Sequence, residues 1–244
     1  MSTEKTGKRL DQRVVALGLA DSRSRAQALI AAGVVTVDGK IVKRPAYSGT
    51  GEIRVTADPN PWVSRAALKL VHGLDHFELT PHGIVADVGA STGGFTQVMV
   101  ARGAAQVHAI DVGHGQLHPR VARLPEVRNH EGINARSLPD GLLPPLDWIV
   151  SDVSFISLTK ALPSVMALAK PQALLLALIK PQFEAGPARV GKGGIVTDLE
   201  VHTEVQQTIE TFLQNRGWRI LGLTESPITG SDGNREFLIA AQLT

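Results

Sequence analysis

The sequence contains no cysteine, which excludes disulfides, thiolate-ligated zinc, iron–sulfur clusters and any mechanism built on a cysteine nucleophile. Aromatic residues are scarce, with one Tyr, three Trp and six Phe too scattered along the chain to build a stacking platform. Long apolar runs are absent too. The longest, Ala173 to Ile179, is far short of the ~18 to 20 residues that cross a bilayer, and the opening residues lack the apolar core of a signal peptide. These absences lead to the expectation of a cytoplasmic protein with no membrane partner. His72 and His76 stand at i and i+4, but no Glu follows His72 to complete H-E-x-x-H and no third ligand is evident, so no metal site is expected.

What is present is ordinary for a folded chain: 244 residues, 43% hydrophobic and 20% charged, enough for one large domain or two small ones. The net charge of +2 is unevenly spread. Residues 1–60 carry ten Lys/Arg against six Asp/Glu, a net of +4, and the remainder carries 15 against 17, a net of −2. A basic small segment on a nearly neutral larger one points to a polyanionic partner for the first and a different task for the second.

Leu10, Val14, Val15, Leu17 and Leu19 have helical spacing, Ala20-Asp21-Ser22 supplies a break and an N-cap, and Arg23 to Ala32 forms a second helix that Gly33 ends. Val34 to Val37, Asp38-Gly39 and Lys40 to Val42 read as a hairpin, because Asp-Gly suits the tight turn between β-branched runs. Thr56 to Trp62, with two prolines, reads as a linker. The predicted division is a domain over residues 1–58, a linker over 59–62 and a second domain over 63–244. This helix, basic helix and hairpin resemble the S-four type of RNA-binding domain. The resemblance implies phosphate contacts from Arg9, Arg23, Arg25, Lys40, Lys43 and Arg44.

Beyond the linker, a helix is predicted over Val63 to Leu74. Strands are predicted at Ile84 to Asp87, Gln106 to Asp111, Trp148 to Asp152, Leu174 to Ile179, Trp218 to Leu223 and Glu236 to Gln242, with helices at Phe95 to Ala101 and Leu199 to Arg216. Alternating strands and helices predict an α/β fold with a mostly parallel sheet and ligand sites at the carboxyl ends of its strands. Asp87-Val-Gly-Ala-Ser-Thr-Gly-Gly-Phe95 is a strand end, a glycine turn and a helix start. It is not the dinucleotide fingerprint, since three residues separate Gly89 from Gly93, and no Lys-Ser/Thr follows Gly94 as a phosphate loop requires. Gly186 to Gly193 fits that loop except at its last position, where glycine replaces the magnesium ligand. Asp87 would repel a pyrophosphate and favour a cation, and Asp111 ends the next strand where a carboxylate can accept ribose hydroxyls.

This pattern resembles the first two motifs of Rossmann-like S-adenosylmethionine-dependent methyltransferases. The resemblance implies a cofactor site from Asp87, Gly89, Ala90, Ser91, Gly93, Gly94, Phe95, Asp111 and Asn134. The missing cysteine removes C5-pyrimidine methylation, and Ser151-Asp-Val-Ser-Phe155 stands where base-nitrogen methyltransferases carry Asn/Asp-Pro-Pro-Tyr/Phe. Lys69, Asp152, Lys180 and Glu236 occur in the order of the tetrad of FtsJ-like ribose 2′-O-methyltransferases. With Val63 to Lys69, Lys180-Pro-Gln-Phe-Glu184 and Ser226-Pro-Ile-x-Gly230, the chain resembles the hemolysin-A-type (TlyA) family of ribosomal RNA methyltransferases. The family implies S-adenosylmethionine as cofactor, cytidine ribose in ribosomal RNA as substrate, the ribosomal subunit as partner, and those four residues as catalytic. A second ammonium and a sulfonium disfavour protonated Lys180 whereas the two carboxylates favour it, so a neutral base and a cationic stabiliser both stay open. Two other readings stand beside this one: a non-catalytic RNA-binding or assembly factor, and the membrane-lytic protein that the family's name implies, for which no strongly amphipathic cationic helix provides support.

Overall fold

The computed structural model describes residues 8–20, 22–56, 61–230 and 233–244. The predicted break at Asp21 and most of the predicted linker lie outside them. The chain forms two compact units, Met1–Pro61 and Trp62–Thr244.

In the first unit, helices α1 (Leu10–Ala16) and α2 (Arg23–Ala31) pack on a three-stranded antiparallel sheet of β1 (Val35–Val37), β2 (Lys40–Ile41) and β3 (Ile53–Val55), in the order β2-β1-β3. Ser22 Oγ accepts from Arg25 N at 3.1 Å and so caps α2, while Gly33 takes the left-handed conformation just past its end. Asp38 and Gly39 both have positive φ, the conformation that a two-residue hairpin of this twist demands. Leu10, Val14, Ala26, Leu29, Ile30, Val35 and Val37 form the core. Two apolar residues of the predicted first helix lie elsewhere. Gly18, at positive φ, ends α1 early, leaving Leu17 60% and Leu19 37% exposed.

The second unit comprises α3 (Ala67–His76), β4 (Ile84–Val88), α4 (Gly94–Ala101), β5 (Gln106–Asp111), α5 (Pro119–Ala122), β6 (Val127–Glu131), β7 (Leu146–Ser151), α6 (Leu158–Ala161), α7 (Pro163–Met166), β8 (Ala169–Ile179), α8 (Pro181–Glu184), α9 (Leu199–Gln214), β9 (Trp218–Glu225) and β10 (Phe237–Leu243). Its sheet order is β6-β5-β4-β7-β8-β10-β9. Strands β4 to β8 are mutually parallel, and β10 enters antiparallel between β8 and β9. Ala173 to Ile179 of β8 and Phe237 to Ala241 of β10 are unbroken apolar runs because both faces of these strands are covered, whereas β4, β5 and β7 carry Asp87, His108 and Asp147 within theirs. One face packs Leu70, Leu74, Phe95 and Met99 of α3 and α4, and the other packs Leu158, Leu162, Val205 and Ile209 of α6 to α9. Gly73 lets α3 close on the sheet, since a Cβ there would lie 3.0 Å from Leu176 and 3.4 Å from Leu238.

Helix α3 starts at Ala67 and not at the predicted Val63. Strand β6 and the short helices α5 to α8 have no counterpart in the sequence reading, being too short for a period to show. Strand order reverses at β4: β5 lies on one side of it and β7 on the other. The crevice at this switch point, outside the carboxyl ends of the strands, is where such sheets bind ligands.

Candidate active site

The turn after β4 forms one wall of that crevice. Gly89 has φ of +85°, and a Cβ there would sit 3.0 Å from the Asp152 carbonyl oxygen and 3.1 Å from Val153 Cα, so only glycine lets the loops after β4 and β7 meet. Gly93, at φ of +89°, turns the chain into α4. Asp111 ends β5 with Oδ2 accepting from Ser91 N and Oδ1 from Gly113 N, each at 2.8 Å, which ties the glycine turn to the neighbouring strand end.

Two adjoining cavities open beside these groups. The larger, about 380 Å³, is lined by Gly89, Ser91, Asp111, Val112, Asn134 and Phe155 among others, a volume suited to a nucleoside. The smaller, about 220 Å³, is lined by Gly89, Ala90, Ser91, Gly94, Phe95, Asp152, Ser154 and Lys180 among others. Gly93 and Asp87 line neither. Asp87 is fully enclosed; its Oδ2 accepts from Thr96 Oγ1 at 2.6 Å and its Oδ1 is an orphaned buried oxygen. Asp87 is therefore not a wall of the crevice.

Burial, opposed by the Thr96 bond and reinforced by Asp152 and Asp111, pushes the Asp87 carboxyl up to about 7. The unfolded carboxyl titrates near ~3.9, so between roughly pH 4 and pH 7 the folded state binds more protons and stability falls as pH rises. Asp87→Asn is expected to abolish that decline, on the order of 2 to 4 kcal/mol across the window in ligand-free protein, as read by denaturant unfolding at successive pH values.

The four residues predicted as catalytic are brought to the same end of the sheet by separate elements. Asp152 follows β7, Lys180 follows β8, Glu236 precedes β10, and Lys69 lies on α3, which packs against β10. Because Phe237 pairs with Ile179, Glu236 and Lys180 flank one register position of adjacent strands. They form two ion pairs. Lys69 Nζ donates to Glu236 Oε2 at 2.5 Å, both side chains buried, and Lys180 Nζ lies 2.7 Å from Asp152 Oδ1 while donating to Ser154 Oγ at 2.8 Å. Only the second pair lines the smaller cavity.

Sequence reasoning passed over three residues here. Phe155, at φ of +65° and 91% exposed, projects from the loop after β7, with its ring 5.1 Å from that of Phe183. Glu184, whose carboxyl burial pushes up, accepts from Leu158 N at 2.8 Å and so ties α8 to the start of α6. Ser154 shares Lys180 with Asp152. Ser154 and Phe155 lie in the run Ser151-Asp-Val-Ser-Phe155 that also supplies Asp152, and Glu184 closes the run Lys180-Pro-Gln-Phe-Glu184, so adjacency to a predicted catalytic residue is the signal that points to them.

In the first unit, the six predicted basic residues fall into distinct settings. Arg9 and Arg23 bond to Asp11. Arg25 is half-buried on α2. Lys40, Lys43 and Arg44 are exposed on and beyond the hairpin.

Comparison with known proteins accords with this architecture. The FtsJ-like methyltransferase family matches residues 62–243 and the S4 domain matches residues 8–48. The sheet with its inserted antiparallel strand, and the glycine turn facing a strand-end carboxylate, define an α/β methyltransferase carrying an N-terminal S4 domain. The 16S/23S rRNA (cytidine-2′-O)-methyltransferase TlyA of Mycobacterium tuberculosis is 42% identical over 236 residues, 95% of this chain and 88% of that one. Hemolysin A of Brachyspira hyodysenteriae is 38% identical, covering 94% and 98%. A solved structure from Streptococcus thermophilus, named as a hemolysin, superposes with a TM-score of 0.75 at 35% identity, covering 99% of this chain and 90% of that one. The chain belongs to the hemolysin-A-type (TlyA) family of FtsJ-like methyltransferases.

Proposed function

We propose that this protein is a cytoplasmic enzyme that transfers a methyl group from S-adenosylmethionine to the ribose 2′-hydroxyl of cytidine in ribosomal RNA, presented as free RNA or within a subunit. One observation carries the reading: the Lys180–Asp152 pair lines the same cavity as the glycine turn, so a substrate hydroxyl that reaches Lys180 also reaches the cofactor site. The name of the M. tuberculosis relative supports the choice of cytidine ribose. The S4 match and the net charge of +4 in residues 1–60 support an RNA partner. Against the lytic reading, no helix among the described residues is long and apolar enough to cross a membrane.

The residues present suit the cofactor. Asp111 has its carboxylate held by two backbone N–H groups and retains acceptor capacity for both ribose hydroxyls, and Val112, Asn134 and the Gly89 turn, which line the larger cavity, would hold the nucleoside. When bound, S-adenosylmethionine supplies an electrophilic methyl carbon on a cationic sulfur. The protein's part is placement and charge. A ribose hydroxyl is a poor nucleophile near neutral pH, so Lys180, fixed by Asp152 and Ser154, takes its proton or stabilises the developing alkoxide, while Glu236 orients Lys69. Phe155 presents a ring face on which the base of the target nucleotide can stack.

The test is transfer of labelled methyl groups to ribosomal RNA and to ribosomal subunits, followed by mapping of the product. The expected product is 2′-O-methylcytidine; methylation on a base, or none on either substrate, would reject the proposal. Asp111→Ala is expected to weaken S-adenosylmethionine binding about 10- to 100-fold, since a charged hydrogen-bonding partner is worth roughly 1.5 to 3 kcal/mol, and to leave RNA binding nearly intact. Calorimetric titration of both ligands checks this; equal cofactor affinity would remove Asp111 from the site.

A further inference from the structure

Asp11 is fully enclosed, yet it is a carboxylate in the basic unit and belongs to no catalytic arrangement. Its Oδ1 accepts from Arg9 Nε at 3.1 Å and Gln12 N at 3.0 Å, and its Oδ2 from Arg9 Nη2 at 3.3 Å, Arg23 Nε at 3.0 Å and Gln27 Nε2 at 2.8 Å. Burial pushes this carboxyl up, but the bonds from Arg9, Gln27 and Arg23 outweigh it and hold it well below the usual carboxylate range. The two guanidinium groups come from just before α1 and from the first turn of α2, and their side chains remain 42% and 53% exposed. Asp11 engages Arg23 through Nε alone, so the two terminal nitrogens of that fork are not spent on it.

We infer that Asp11 is a positioning residue that holds Arg9 and Arg23 as one preset, two-guanidinium clamp for RNA phosphate, without touching RNA itself. This rests on the RNA-binding reading above and deepens it. Two guanidinium groups bonded to one carboxylate repel each other, and long arginine side chains lose rotamer freedom when they bind; the buried carboxylate between them offsets the repulsion and fixes both side chains before RNA arrives. Lys40, Lys43 and Arg44 have no such anchor among the described residues and contribute chiefly through charge. The remaining donors of a guanidinium already oriented by one carboxylate match the geometry of a phosphate.

The inference reverses the sign expected from charge alone. Asp11→Asn raises the net positive charge by one, so a patch acting only by counterion release would bind RNA more tightly. Positioning requires the opposite. With the full-length chain and in vitro transcribed 16S and 23S ribosomal RNA as probes, Asp11→Asn is expected to weaken binding about 5- to 10-fold and to reduce the slope of log affinity against log salt by about 0.7 to 0.9, one phosphate contact. The double variant Arg9→Lys with Arg23→Lys keeps both charges and Asp11 but loses the forks, and is expected to lose a similar factor. In the Asp11→Asn background the two lysine substitutions should cost little more, because all three changes remove the same clamp. Thermal unfolding of the N-terminal unit identifies any variant that fails to fold, and the lysine pair tests the clamp with Asp11 in place. RNA bound by Asp11→Asn as tightly as by wild type or more so, or an affinity unaffected by the lysine pair, overturns the clamp while leaving the RNA-binding reading intact. Failure of the wild-type chain to bind either transcript overturns both.

Discussion

Replacing Lys180 with alanine is expected to lower methyl transfer by ~100-fold or more while S-adenosylmethionine and RNA both still bind. The ammonium lies 2.7 Å from Asp152 and 2.8 Å from Ser154 in the wall of the smaller cavity, whereas the glycine turn and Asp111 are held by bonds that do not involve it. Single-turnover rates with saturating cofactor, beside equilibrium binding of each ligand, separate chemistry from binding. Lys180→Arg distinguishes the two roles left open for the lysine. Arginine keeps the charge but cannot accept a proton near neutral pH, so substantial activity in the arginine variant identifies an electrostatic role and inactivity equal to alanine's identifies proton transfer. A crystal structure of the arginine variant checks that the Asp152 contact survives. Full activity in the alanine variant would remove Lys180 from the chemistry.

The second large effect belongs to the other ion pair. Lys69 and Glu236 have side chains only 9% and 2% exposed and meet at 2.5 Å, so Glu236→Ala leaves an ammonium enclosed without its counter-charge. Breaking a buried pair from one side costs about 3 to 5 kcal/mol, which denaturant unfolding of the second unit should register, together with loss of methyl transfer. Replacing both partners with apolar residues of similar volume, Lys69→Met with Glu236→Leu, is expected to recover most of the stability, because no unpaired charge remains. Activity should not return. Stability and activity restored together would make this pair a packing element alone, and an unaffected unfolding free energy in the single variant would contradict its burial.

The outcome at individual residues shows what kind of information each level holds. Gly33, Asp38-Gly39 and Ser22 were legible because capping and tight turns depend on one or two residues whose backbone preferences are local. Residues 174–179 of β8 were legible because a strand covered on both faces is an unbroken apolar run, while its more exposed start at 169–172, Ala-Lys-Pro-Gln, carries no such signal. Leu17 and Leu19 misled for the converse reason: periodicity records which residues could share a face, and Gly18 ends the helix before they do. The setting of Phe155 is not legible in the sequence, since nothing local reveals that its backbone adopts positive φ and turns the ring outward.

Composition, turn chemistry and the order of motifs therefore determined the contrast between a basic first segment and a larger α/β unit, and the short roll of residues proposed to carry the chemistry. Tertiary structure alone decided how those residues are grouped. It paired Lys180 with Asp152 and Lys69 with Glu236, enclosed Asp87 beneath the cavity and set Asp11 between two arginines. The reason is physical: an ion pair spanning 28 or 167 residues depends on strand order and register, which arise from the packing of the whole sheet and leave no periodic trace in the segments that meet.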